Sequence, residues 1–124
     1  MRDEQALVND FMVQRPVMLE NNRNKASMVR LFLAEAEELV VELEAEDVEK
    51  IAQELPDVIW FCLTIANLYG IDMENAFWAK AIRNEHKYPE ENFDGSMTYE
   101  EAATLCRALW AENGNDNHFT PDKI

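Results

Sequence analysis

The sequence is short of bases, of cysteine and of long apolar runs, and each shortage closes off a class of function. Lys and Arg number 11 against 25 Asp and Glu, a formal net charge of −14 over 124 residues. Nucleic acids and acidic lipid surfaces are held by basic patches, so no nucleic acid and no membrane is expected as a partner. A polyanionic substrate fits this balance only where metal ions and locally placed bases reverse the field. Self-repulsion also disfavours a compact monomer without cations. The two cysteines, Cys62 and Cys106, make neither a disulfide framework nor a zinc spacing, which points to a reduced, cytoplasmic setting. Cys62 lies in the apolar run IWFCLTIA, where a small buried thiol is the ordinary explanation. The longest apolar run, Val58 to Ala66, is too short to cross a bilayer, and MRDEQALVND has no hydrophobic signal region. A soluble protein is expected.

Strand patterns, repeats and low-complexity segments are also missing. What remains is helical. Asp3 to Arg15 reads as a first helix with Ala6, Leu7, Phe11, Met12 and Val13 as its inner side, ended by Pro16. The asparagine-rich stretch 16–24 reads as a connection. A long second helix is predicted from Lys25 to Glu46. Asp47 is the expected N-cap of a third, running to about Tyr69 and stopped by Gly70, with Pro56 kinking it or breaking it before Asp57. Asp72 is the expected cap of a fourth helix, Met73 to His86. Thr98 with Glu101 forms a capping box for a fifth, through Asn113 to Gly114, followed by a polar tail. The expected fold is all-α, one domain built as an antiparallel bundle of about five helices and completed by oligomerisation.

Within that frame two acidic pairs stand out, Glu35 with Glu38 and Glu54 with Asp57. Residues three apart share a helix face. At about 100° per residue, Glu35, Glu38 and Glu42 fall in one arc with Met28, Leu31, Phe32 and Leu39. Glu54 and Asp57 share theirs with Phe61, Ile65 and Leu68. Acids interleaved with core residues are expected to face inward. Four carboxylates cannot be packed together without a cation, and Mg²⁺ favours such oxygen ligands. By contrast Glu37, Glu44, Glu46 and Glu49 read as a solvated face.

The one dense basic cluster follows, in KAIRNEHKYP. Lys80, Arg83, Asn84 and Lys87 lie on overlapping faces of the fourth helix, the kind of set that holds phosphates beside a carboxylate-bound metal. At this point the sequence resembles the MazG-like all-α nucleoside triphosphate pyrophosphohydrolases, whose signature is E-E-x-x-E on one helix and E-x-x-D on the next. The first half reads AEAEE here, Ala34 to Glu38, and the second ELPD, Glu54 to Asp57. The segment GIDMENAFWAKAIRNEHKYP looks like the family's glycine-to-lysine segment, and its K-x-x-x-N-x-x-K-Y-P ending is similar to the dCTP pyrophosphatase branch. The resemblance covers about residues 25–89. It implies hydrolysis of a (deoxy)nucleoside triphosphate to monophosphate and pyrophosphate, in nucleotide-pool control or house-cleaning. It implies Mg²⁺, or Mn²⁺, on Glu35, Glu38, Glu54 and Asp57, and Lys80, Asn84 and Tyr88 on phosphates or sugar, with Arg83 and Lys87 beside them. It also implies a base pocket drawing on Phe11, Asn24 and Met28, and a homodimer or homotetramer whose subunits build each site together. Ala34 and Pro56 depart from the usual pattern, and Glu42 is a candidate to help where Ala34 lacks an acid.

The sequence leaves two other readings. A non-catalytic acidic interaction protein, such as a DNA mimic or inhibitor, predicts acids spread outward. A ferritin-like di-metal carboxylate protein needs Glu-x-x-His pairs, and neither His86 nor His118 has a glutamate three residues before it. Trp60, Trp78 and Trp110 read as core or interface residues, and Tyr69 as helix-end packing.

Overall fold

The computed structural model describes residues 1–88, 90 and 98–112. These form six helices and no strand: α1 (Arg2–Val13), α2 (Pro16–Arg23), α3 (Lys25–Ala45), α4 (Val48–Leu68), α5 (Met73–Lys87) and α6 (Tyr99–Glu112). None is long and apolar enough to cross a membrane. The chain divides into two compact units, Met1–Met73 and Glu74–Ile124.

In the first unit α3 and α4 pack together, α1 lies on α4, and α2 lies against α1 and α3. Val8 and Met12 of α1, Met28 of α3 and Leu63, Thr64 and Ala66 of α4 are buried. Phe11 meets Trp60 edge to face, with ring centres 5.2 Å apart. The connection predicted over 16–24 is a helix instead, so there are six helices where the pattern suggests about five. Pro16 stands in its first turn, where a missing N–H costs nothing, and packing outweighs the weak helix preference of its asparagines.

Asn24 and Asp47 cap α3 and α4, their side chains accepting from the backbone N–H of Ser27 (3.1 Å) and Lys50 (3.2 Å). Of the kink or break expected at Pro56, the break is absent. α4 runs unbroken through it, its packing on α1 and α3 outweighing the lost donor. Beyond Tyr69, the N–H of Ile71 donates to the Ala66 carbonyl (2.8 Å) and that of Gly70 to Asn67 (3.4 Å), with Gly70 at φ 65°. α3 ends the same way, Asp47 donating to Glu42 (3.3 Å) and Glu46 to Leu43 (3.1 Å). Here a glutamate, Glu46 at φ 55°, occupies the left-handed position. Replacing Glu46 with glycine removes a Cβ penalty and a charge at a helix C-terminus. Thermal denaturation of Glu46→Gly should show a gain of about 0.5–1 kcal/mol; an unchanged or lower melting point would contradict the strain.

A polar clasp ties α1 to the far end of α4. The Gln5 amide nitrogen donates to Asn67 Oδ1 (3.0 Å) and the Ile71 carbonyl (2.7 Å). Its oxygen accepts from Met73 N–H (3.0 Å), and Asn67 donates back to the Gln5 carbonyl (3.0 Å). Arg2 pairs with Asp72 at 3.2 Å.

The second unit holds most of α5, with Ala79 buried, and α6, with Ala102 buried. The predicted cap of α6 is present: Thr98 Oγ1 accepts from Glu101 N–H (3.2 Å) and donates to Glu101 Oε1 (3.1 Å). The predicted stop at Asn113 and Gly114, residues 91–97, and the tail with His118 lie outside the described residues.

Candidate metal centre

The two-residue link Glu46–Asp47 folds α4 back along α3, which sets the acidic arcs of the two helices against each other. Glu35 and Glu54 are half-buried on that seam and Glu38 is exposed at its rim. One carboxylate oxygen from each of the three lies within 4.8 Å of the others. Oε2 of Glu35 and Oε2 of Glu54 are buried and have no hydrogen-bond partner. Asp57 is exposed and outside this trio, because its shorter side chain starts from the edge of the α4 arc. Its charge is nevertheless felt at both buried carboxyls.

Both buried carboxyls are pushed above the ordinary glutamate value. Burial is the main cause for each, followed by the charges of Glu38 and Asp57. Glu54 adds to the effect on Glu35, and Glu42 to that on Glu54. Partnerless buried anionic oxygens are costly unless a cation satisfies them. Opposed oxygens around Mg²⁺ stand about 4.2 Å apart, so the trio suits such an ion with little adjustment.

A raised folded-state pKa makes ionisation unfavourable to folding. The penalty is absent below the ordinary glutamate pKa and grows as pH rises through the raised one. In chelator, the melting temperature should therefore fall as pH is taken from about 5 to about 8. Mg²⁺ should restore it, and most at the high end, since it competes with protons for the same oxygens. A Mg²⁺ shift that is equal at both ends would argue against the trio as ligands.

The remaining sequence-predicted residues are placed as follows. On α5, Lys80 is exposed, Arg83, Asn84 and Lys87 are half-buried, and Tyr88 just beyond is exposed. Tyr88 N–H donates to the Asn84 carbonyl (2.7 Å), and the Lys87 ammonium stands 5.4 Å from the Tyr88 ring centre. These groups belong to the second unit. Phe11 carries the Arg15 guanidinium on its face at 3.7 Å. Asn24 spends its side-chain oxygen on the α3 cap.

Met28 lines a cleft of about 510 Å³ with Asn22, Arg23, Lys25, Val29, Ile65, Leu68 and Tyr69. Tyr69 stands at the helix end as predicted, but exposed on this cleft. Asn22 escapes the sequence reading because an asparagine in an asparagine-rich stretch reads as a turn former. The only sequence signal for it is Pro16, which opens a helix as readily as it ends one.

A family model described as the MazG nucleotide pyrophosphohydrolase domain matches residues 23–89, from the end of α2 through α5 and more than half of the chain. The chain belongs to the MazG family. No curated protein and no solved structure matches it. MazG domains typically depend on a divalent metal and act on nucleoside triphosphates, and the acidic cluster that such dependence calls for is present here.

Proposed function

We propose that this MazG domain cleaves the bridge between the α- and β-phosphates of a (deoxy)nucleoside triphosphate, releasing the monophosphate and pyrophosphate. The observation that carries the reading is the pair of buried, partnerless oxygens on Glu35 and Glu54, two residues that with Glu38 each bring a carboxylate oxygen within 4.8 Å of the others. Those three residues would hold Mg²⁺, or Mn²⁺, with Asp57 joining them from the rim. The ion would neutralise phosphate charge and acidify a bound water. Glu38 or Glu42 would take the proton of that water, since Ala34 offers no carboxylate. Lys80 and Asn84 are assigned to the transferred phosphates, with Arg83, Lys87 and Tyr88 on the remaining phosphate and sugar, and Phe11 and Asn24 toward the base. The acidic-mimic reading accounts for exposed Glu37, Glu44, Glu46 and Glu49. It offers no reason to bury the oxygens of Glu35 and Glu54.

The assembly belongs to the same proposal. Val29, Leu33, Val40 and Leu43 on α3 and Val48, Leu55 and Ile59 on α4 are exposed. They recur at heptad-like spacings, in stripes about 150° round each helix from its acidic pair. Because α4 folds back along α3, both stripes open on one side of the hairpin, away from the side where α1 covers Trp60. A face of this size calls for another copy of the chain, giving a homodimer or homotetramer. A cytoplasmic role in adjusting or cleaning nucleotide pools follows from the reaction.

The test is a nucleotide panel with Mg²⁺, read as pyrophosphate release by wild type and Glu38→Ala. The wild type should release pyrophosphate, and the variant should lose at least about a hundredfold in kcat/KM. Inorganic monophosphate as the product would reject the bond assigned, and equal turnover by the variant would reject the ligand.

A further inference from the structure

One arginine of the first unit is held in place and given no acid to neutralise. The Arg15 guanidinium lies on the Phe11 ring, 3.7 Å from its centre, and donates from Nη1 to the Phe11 carbonyl at 3.0 Å. Phe11 in turn meets Trp60 edge to face, so the cation is braced against α4 through two rings. Among the described residues no carboxylate pairs with it, in a chain of 25 acids and 11 bases where Arg2 and Arg23 each find one. A guanidinium carries a fork of N–H donors, and the fold engages one of them here. Stacking keeps the group still and leaves the fork open, which is the form in which arginine grips a phosphate.

Its place along α4 tells what it stands beside. Gln5 bonds to Asn67 and to the Ile71 carbonyl, and Phe11 meets Trp60, so α1 runs antiparallel to α4 and descends toward the acids. Arg15, about one turn past Phe11, comes level with Asp57. Round α4, Asp57 lies about 60° from both Glu54 and Trp60, between the two. The order across this face is therefore the acidic trio, then exposed Asp57, then the ring pair that carries the cation. A pair between Arg15 and Asp57 would close that interval. The stack on Phe11 leaves it open, with a cation lacking an anion beside a carboxylate lacking a cation. A polyphosphate carrying a divalent ion satisfies both at once.

We infer that Arg15 is a further catalytic residue of the proposed reaction, its guanidinium gripping the β- and γ-phosphates of the substrate. The inference rests on the triphosphate reading above and adds a base from the first unit, on a helix that precedes the matched residues 23–89. In that reaction the water oxygen bonds to the α-phosphorus, and its proton passes to Glu38 or Glu42. The bridging oxygen departs on the β-phosphate with the bonding pair. Negative charge on the pyrophosphate therefore grows as the bond breaks, and a forked cation fixed beforehand stabilises it without reorganising.

Titration calorimetry with inorganic pyrophosphate in excess Mg²⁺ reads that grip without turnover. Arg15→Ala should bind pyrophosphate about tenfold more weakly than the wild type, and its kcat on the nucleotide the panel favours should fall about a hundredfold. Arg15→Lys, which keeps the charge and loses the fork, should fall between the two. Arg15 is exposed, and the Mg²⁺-induced rise in melting temperature should be the same in Arg15→Ala as in the wild type. A general loss of structure would not leave that rise in place. Pyrophosphate affinity that is unchanged in Arg15→Ala, absent in the wild type, or lost together with the Mg²⁺ shift overturns the inference. So does a lysine variant no better than alanine. A wild type that turns over nucleotides with kcat indifferent to Arg15 leaves the reaction standing and removes Arg15 from it. Arg15-dependent pyrophosphate binding in a protein that hydrolyses no nucleotide supports the phosphate grip and fails the pyrophosphohydrolase reading alone.

Discussion

Glu54→Gln is expected to be nearly inactive and, in chelator at neutral pH, more stable than the wild type. The variant keeps the shape of the side chain while removing a charge that burial and the neighbouring carboxylates make unfavourable. Activity should fall about a thousandfold, since the amide offers one neutral oxygen where the ion needs an anionic ligand. Stability should move the other way, because the repulsion felt by Glu35 and Glu38 falls with it. The gain should vanish below the ordinary glutamate pKa, where the wild-type group is protonated in both states. The Mg²⁺-induced rise in melting temperature should shrink at the same time. Glu37→Gln, on the opposite and exposed arc of α3, should change none of these. Melting curves in chelator and in Mg²⁺, beside pyrophosphate release, separate the outcomes. A Glu54→Gln protein that loses stability, or keeps its turnover, would remove the metal centre from the account.

Placing an aspartate at Leu33 and another at Ile59 should take the assembly apart. In the single chain Leu33 and Ile59 are each 54% exposed. That is tolerable for isolated residues but not for two stripes opening on one side. Covering each is worth about 1.5–3 kcal/mol, and a buried unpaired aspartate reverses the sign. Light scattering should find the wild type at a multiple of 14.4 kDa and the double variant at the single-chain mass. Turnover should fall with it, since the resemblance has two subunits build each site. A wild type that is already monomeric at micromolar concentration would end the assembly proposal, and the hairpin face would need another explanation.

The acidic trio was legible because helical period is the most robust signal a sequence carries: Glu35 and Glu54 fall among Met28, Phe32, Phe61 and Ile65, and the structure half-buries both. Caps at Asp47 and Thr98 were equally plain, since they depend on neighbours in the chain. Features governed by distant packing were not. α2 forms against asparagine propensity because α1 and α3 lie beside it, and α4 passes through Pro56 for a similar reason. Asp57 shows a subtler limit. Its angle on the helix is right within the width of an arc, but reach depends on side-chain length and on how far the seam opens, and neither is written in the spacing. Asn22 could not be found at all without knowing that α2 turns it inward.

The short link between α3 and α4 has a consequence for how this chain tolerates change. Asp47 donates into the last turn of α3 and caps the first turn of α4, so the joint has no slack. One extra residue there asks α4 to turn by about 100° or slide by about 1.5 Å relative to its partner. The phase between AEAEE and ELPD is thus set at a place that touches neither, and a length change in this surface turn would be felt at the ion before it was felt in the core.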